Sequence, residues 1–100
     1  MIIAVDFDGT LFDGEKLNRS LIAQLKNAQR GGDTVILWTC REGKTLAEAL
    51  RALHGAGFFP TCVNANAPET IRRLHRDSRK IFADVYIDDK AAPLWRPARK

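Results

Sequence analysis

Cysteine and long apolar runs are both scarce in this 100-residue sequence. Its two cysteines, Cys40 and Cys62, are too few for the disulfide framework of a small secreted domain. We expect both to be small buried side chains that lie too far apart to pair. No apolar run approaches the ~20 residues of a membrane-spanning helix. Asp6 and Asp8 interrupt the apolar start of the chain, which is unlike a secretory leader, so we expect a cytoplasmic location.

Acidic residues are missing from positions 90–100, although four basic residues lie there, and the net charge of the chain is +4. A second basic segment spans residues 72–80, where the only acidic residue is Asp77. Basic segments attract polyanions such as nucleic acids and phosphorylated small molecules. A solvated helix face followed by a loose tail is the simpler interpretation of the same residues.

Apolar and β-branched residues alternate with helical patterns along the chain. Four apolar runs predict strands, over residues 2–7, 34–39, 59–63 and 81–87. Apolar residues at helical spacing predict three helices, over residues 17–28, 45–53 and 66–74. A Thr45–Glu48 capping box is expected to open the second helix, and Trp38 is expected in the core. The alternation predicts a three-layer, Rossmann-like α/β fold, a mostly parallel sheet of about four strands with helices on both faces.

Polar side chains gather where these predicted strands end, which is where open parallel sheets bind ligands. Asp6 and Asp8 end the first strand and start on the same side of it, while Asp88 and Asp89 end the fourth. Three or four converging carboxylates repel one another unless a cation neutralises them, and oxygen ligands of this kind suit Mg²⁺. Beside a metal, one aspartate can attack phosphorus while a second acts as general acid and base.

Cations and hydrogen-bond donors that would offset charge on a phosphoryl group follow the same strand ends. Lys80 precedes the fourth strand, Thr39 and Arg41 follow the second, and Gly9 and Thr10 are expected to offer exposed backbone N–H groups. Arg41 is a candidate substrate contact, although an exposed ion pair explains it nearly as well.

Four motifs, in order, resemble those of the haloacid dehalogenase superfamily of phosphohydrolases. They are Asp6-Phe7-Asp8-Gly9-Thr10-Leu11, Trp38-Thr39-Cys40-Arg41-Glu42-Gly43, Lys80 and Tyr86-Ile87-Asp88-Asp89. The resemblance covers residues 2–89 and implies that Asp6 is the nucleophile and Asp8 the general acid and base. It further implies that Thr39 and Lys80 bind the phosphoryl oxygens, with Gly9, Thr10 and Cys40 beside them. Mg²⁺ would be held by Asp6, Asp8, Asp88 and Asp89.

Family members usually carry a cap after the first or the third strand, and this chain resembles a small capless member. We expect a catalytic core over residues 1–90, followed by a basic tail over residues 91–100. An open site is suited to a bulky substrate or is closed by a neighbouring copy in a homo-oligomer. The fifth strand usual in the family is not evident, so the fourth strand is expected at an edge of the sheet.

The resemblance implies a Mg²⁺-dependent phosphatase, a hydrolase of phosphomonoesters that forms an aspartyl-phosphate. The basic segment near an open cleft favours a polyanionic substrate, such as a nucleotide or the phosphorylated end of a nucleic acid. A non-catalytic module that binds phosphate or a polyanion on the same fold is the alternative, and it predicts salt-sensitive binding without turnover. A phospho-accepting receiver domain is disfavoured, because its acceptor aspartate ends the third strand, where this chain has Asn64 and Asn66.

Overall fold

Strands and helices alternate through the computed structural model, which describes residues 1–75 and 81–88. Within those ranges the elements are β1 (Ile2–Val5), α1 (Arg19–Arg30), β2 (Thr34–Leu37), α2 (Gly43–Gly55), β3 (Cys62–Val63), α3 (Pro68–Leu74) and β4 (Val85–Ile87). No helix among these residues has the length and apolar character needed to cross a bilayer. Three sequence predictions fall outside the described residues: Lys80, Asp89 and the tail over residues 91–100.

The four strands form one parallel sheet in the order β3-β2-β1-β4. This arrangement confirms the predicted α/β fold, and it places β4 at an edge of the described sheet, as expected. All four residues of β1 are buried because the strand is central and covered on both faces. Residues 6–18 join β1 to α1 and residues 64–67 join β3 to α3, so neither interval has room for a cap domain.

Alternate residues of the strands belong to two separate hydrophobic clusters, one on each face of the sheet. On one face, Val5 and Leu37 pack with apolar residues of α1 and α2, such as Leu25 and Leu53. On the other face, a smaller cluster contains Ile2, Ala4, Ile36, Ala67, Ile81 and Ala83. Successive side chains of a strand point to opposite faces, which explains why neighbours such as Ala4 and Val5 belong to different clusters. The second face is where the candidate site lies.

All four strands are shorter than the apolar runs predicted, and the contacts of β4 and the sequence of β3 account for two of the differences. Val85 rather than Ile81 begins β4, because the pairing with β1 starts at Ile3 and the N–H of Ile2 is bound by the Asp84 side chain. The Asp84 backbone N–H donates to Ile2 O at 2.7 Å, and its carboxylate Oδ2 accepts from Ile2 N at 2.7 Å. β3 is confined to Cys62 and Val63, since Pro60 has no N–H to donate to a ladder.

The predicted capping box at the start of α2 is wrong. The helix begins at Gly43, and its N-cap is Glu42, whose side chain makes no capping bond. Thr45 therefore lies inside the first turn, where its hydroxyl donates to Glu42 O at 2.9 Å. The glycine has a positive φ of 56°, so it allows the chain to enter the helix two residues earlier than the apolar pattern suggests.

Candidate active site

A cleft of about 260 Å³ opens at the carboxyl ends of β2, β1 and β4. Each strand contributes to its lining, so residues that are far apart in the sequence meet there. The lining residues are Ala4, Asp6, Trp38, Thr39, Cys40, Tyr86, Ile87 and Asp88. The structure thus brings four of the residues singled out from the sequence, Asp6, Thr39, Cys40 and Asp88, to one cleft.

Asp6 occupies the first position after β1, and the sheet fixes its backbone. Its N–H donates to Ile87 O at 2.9 Å, which continues the pairing of β1 with the edge strand. Its carboxylate Oδ1 accepts from the N–H of Phe7 at 2.8 Å. A half-buried carboxylate oriented by its own backbone in this way is suited to a role that demands a defined direction of approach.

Thr39 is held at the end of β2 by Asn64, the residue that follows β3. The Asn64 side-chain oxygen accepts from Thr39 N at 2.8 Å, while its own N–H donates to Leu37 O at 2.8 Å. Asn64 has a φ of 53°, a left-handed conformation that asparagine tolerates better than most residues. The Thr39 hydroxyl accepts from Arg41 N at 3.1 Å, which leaves its proton to donate to an anion.

Cys40 and Trp38 are not buried, contrary to expectation. Both cysteines are free thiols, as expected, but Cys40 is exposed and Cys62 only half-buried. Trp38 is 41% exposed, because it follows the last buried residue of β2, where the packed part of the sheet has ended. Its ring packs at 5.5 Å from the ring of Tyr86, with an angle of 54° between the two planes.

Asp8 forms a bidentate ion pair with Arg41. The guanidinium Nε and Nη2 donate to the two carboxylate oxygens at 2.9 and 2.8 Å. Arg41 also donates from Nη1 to Thr45 O at 3.2 Å, and it lies over the Phe7 ring at 4.8 Å from the centroid. The interpretation of Arg41 as one half of an ion pair is therefore correct. In this conformation Nε, Nη1 and Nη2 of its guanidinium all donate hydrogen bonds within the protein.

The ion pair shifts the acid–base equilibria of both partners. Hydrogen bonds from Arg41 hold the pKa of the Asp8 carboxyl below its usual range, although burial acts in the opposite direction. The same bonds raise the pKa of Arg41. Asp8 is consequently an ionised carboxylate at neutral pH. It is not one of the residues that line the cleft containing Asp6.

The expectation that Gly9 and Thr10 present exposed N–H groups is wrong. The chain turns back on itself here: Gly9 N donates to Phe12 O at 2.8 Å and Thr10 N to Phe7 O at 3.2 Å. The positive φ of Gly9, 82°, permits this tight turn. Both residues line a separate depression beside the start of α1 rather than the cleft.

The donor set of the cleft fits Mg²⁺, although it is smaller than predicted. Asp6 and Asp88 are the two carboxylates among its described lining residues, and Mg²⁺ is commonly held by one or two carboxylates with several waters. The expected convergence of three or four carboxylates is not found, since no group of three or more His, Cys, Asp or Glu residues within 1–75 and 81–88 is placed to hold a metal. Asp8 is paired with Arg41, and Asp89 lies outside the described residues.

Comparisons with known proteins identify a structural relative but no activity. No protein-family model matches the chain, and no curated protein matches it significantly. Among solved structures, it is similar to a conserved protein coded by a locus from Bacteroides thetaiotaomicron. The two are 34% identical, with a TM-score of 0.77 over 93% of this chain and 78% of the other. The arrangement of the sheet and its helices is thus found in a second protein.

Proposed function

We propose that this chain, which belongs to the same family as the conserved Bacteroides thetaiotaomicron protein, is a Mg²⁺-dependent phosphomonoester hydrolase of the haloacid dehalogenase type. The single observation that carries the proposal is the meeting of Asp6, Thr39 and Asp88 in one cleft at the carboxyl ends of the strands. These three residue types supply a nucleophile, a donor to phosphoryl oxygens and a metal ligand.

Asp6 acts as the nucleophile in this proposal. One carboxylate oxygen attacks phosphorus as the bond from phosphorus to the ester oxygen breaks, and the alcohol leaves with a proton. Water then hydrolyses the aspartyl-phosphate, which releases inorganic phosphate and restores the carboxylate. The hydrogen bond from Phe7 N to Oδ1 orients the group for this attack.

Asp6 and Asp88 would hold Mg²⁺, which supplies charge neutralisation between a carboxylate nucleophile and an anionic ester. Thr39 donates its hydroxyl proton to a phosphoryl oxygen, while Asn64 fixes its position through the backbone bond of 2.8 Å. Lys80, outside the described residues, remains a predicted phosphate ligand, and so does Cys40 as a neighbour of Thr39.

Asp8 is the proposed general acid and base, and its ion pair with Arg41 restricts its ability to exchange protons. A carboxylate whose pKa is lowered by Arg41 accepts a proton poorly, so protonation of the leaving alcohol requires the pair to open. The base step has the same requirement, because a general base accepts a proton from water and both carboxylate oxygens of Asp8 are engaged by Arg41. The Asp8–Arg41 pair also favours the second candidate function, a phosphate-binding module without turnover, in which it never opens.

Release of phosphate from p-nitrophenyl phosphate tests the proposal. The wild-type protein is expected to turn over with Mg²⁺ and to lose activity with EDTA, because the metal would neutralise charge between the carboxylate nucleophile and the anionic ester. Asp6→Asn should abolish turnover. Asp33→Asn is the matched control, since Asp33 pairs with the amino terminus at 2.9 Å, away from the cleft. Turnover that survives in Asp6→Asn would contradict the mechanism.

The same samples separate the two candidate functions. If no ester is hydrolysed, the melting temperature with and without Mg²⁺ and inorganic phosphate becomes the deciding measurement. Stabilisation by phosphate without turnover would support the binding module. Stabilisation by neither ligand would contradict both candidates.

A further inference from the structure

We propose that Trp38 and Tyr86 form a binding site for the base of a nucleoside monophosphate, which names the substrate class of the phosphatase proposed above and rests on that function. Both rings line the cleft that contains Asp6 and Asp88. The pair, which we call the aromatic ledge, is a feature of the same cavity and not of a separate surface.

The aromatic ledge is exposed although its rings are large and mostly apolar. Trp38 is 41% and Tyr86 is 37% exposed, while the aromatic rings of the core, Phe7 and Phe58, are almost fully buried. Two further exposed aromatic residues lie outside the cleft lining and pack against partners elsewhere: Phe59 stacks on His54, and Phe82 lies below Arg73. Among the aromatic residues within 1–75 and 81–88, only those of the ledge are exposed and also line the cleft of the candidate catalytic carboxylates.

The rings of the ledge are held in fixed positions. The Tyr86 hydroxyl accepts from Ala83 N at 3.1 Å and donates to Ile81 O, so the segment before β4 binds the polar end of the ring. The backbone of Trp38 is tied to the sheet, since its main-chain N–H donates to Val5 O at 2.9 Å, and its ring packs against the fixed ring of Tyr86 at 5.5 Å. A ring fixed before a ligand arrives loses little conformational entropy on binding, which favours stacking.

The register of the sheet sets the distance between the ledge and the reacting centre. Tyr86 pairs with Ala4, and both lie two residues before the carboxylates of their strands, Asp88 and Asp6. Two residues of strand span about 7 Å. In an aryl phosphate the ring is attached directly to the ester oxygen and would remain beside Asp6. In a nucleoside monophosphate a sugar separates the base from the phosphate, so the base would reach the level of Tyr86 in the sheet.

A pair of substrates that differ only in the base tests the proposal. Adenosine 5′-monophosphate and ribose 5-phosphate share the phosphate and the sugar, so the ratio of their kcat/KM values isolates the contribution of the base. Because stacking of a base on an aromatic side chain is worth a large factor, the ratio should be about 10 or more for the wild type. It should approach one in Trp38→Ala and be largely restored in Trp38→Phe, which keeps a ring.

Phe59→Ala is the matched control, because it removes an exposed ring that does not line the cleft. Its ratio should equal that of the wild type. Phenyl phosphate is the third substrate. If its kcat/KM matched that of the nucleotide and fell in Trp38→Ala, the ledge would bind a ring attached directly to the ester, and the assignment to a nucleoside monophosphate would be overturned.

A binding measurement separates failure of the ledge from failure of the phosphatase. In a Trp95→Phe background Trp38 is the only tryptophan, since the chain has two. With Asp6→Asn added to prevent turnover, adenosine 5′-monophosphate should quench its fluorescence and ribose 5-phosphate should not. Quenching without hydrolysis of any ester would support the ledge and overturn the phosphatase. Equal hydrolysis of both substrates without quenching would overturn the ledge and leave the phosphatase intact.

Discussion

Replacement of Arg41 by glutamine should destabilise the protein in a pH-dependent way. The substitution removes a bidentate bond to Asp8 and the contact of the guanidinium with the Phe7 ring. The Asp8 side chain is 56% exposed, so the ion pair is screened by water and is expected to contribute about 0.5–1 kcal/mol. The cation–π contact adds about 0.5–1 kcal/mol. The free energy of unfolding should therefore fall by about 1–2 kcal/mol at pH 7.

The sign of the pH dependence follows from the lowered pKa of Asp8. A carboxyl whose pKa is lower in the folded than in the unfolded protein stabilises the fold above its unfolded pKa, ~3.9. That contribution is lost as the pH falls through the folded pKa. The difference between wild type and Arg41→Gln should thus be largest at neutral pH and shrink in acid to the part due to the ring contact.

Urea denaturation of a double-mutant cycle measures the pair itself. The cycle combines Arg41→Gln with Asp8→Asn, and its coupling energy should be about 0.5–1 kcal/mol at pH 7 and lower at high salt. Arg51→Gln, at an exposed position of α2, is the control and should change stability by less than about 0.5 kcal/mol. A coupling energy of zero at pH 7 and low salt would refute the argument that the bidentate pair exists in solution.

Two further predictions concern the core and the support of the site. Leu53→Ala should lower the free energy of unfolding, measured by urea denaturation, by about 2–5 kcal/mol, because Leu53 is fully buried. Leu74→Ala, at an exposed position, should have little effect. Equal losses of stability in the two variants would contradict the assigned core. Asn64→Ala should lower both stability and the rate of p-nitrophenyl phosphate hydrolysis, since it removes the acceptor for Thr39 N and leaves alanine at a φ of 53°. Asn64→Gly relieves only the backbone strain, so it should recover stability more than activity, and equal recovery of both would argue against a role of Asn64 in positioning Thr39.

Much of the fold was predictable because its signals are local. Apolar strands alternating with amphipathic helices predicted a parallel sheet, and the observed order β3-β2-β1-β4 has the helical crossovers that such a sheet requires. Element ends were less predictable. The start of α2 depends on the backbone conformation of Gly43, and the start of β4 depends on Asp84 reaching a strand 82 residues away.

The meeting of Asp6, Thr39 and Asp88 was also predictable, since the carboxyl ends of parallel strands share one edge. The supporting contacts were not. Asn64 reaches Thr39 across 25 residues of sequence, and no residue pattern near either one indicates the contact. The turn that engages the N–H groups of Gly9 and Thr10 depends on how residues 7–12 fold back, which a short motif does not specify.

The sequence by itself determined which residues stand at strand ends, because periodicity and β-branched runs fix where a strand begins and ends to within a few residues. Only the tertiary structure decided what those residues contact. Asp8 meets Arg41 across 33 positions, and Trp38 is exposed because the helices and strands beneath it end before its ring does. Whether a side chain is buried or paired depends on residues that are close in space but far apart in the sequence. A local sequence pattern describes one segment at a time, so it does not indicate which segments come together.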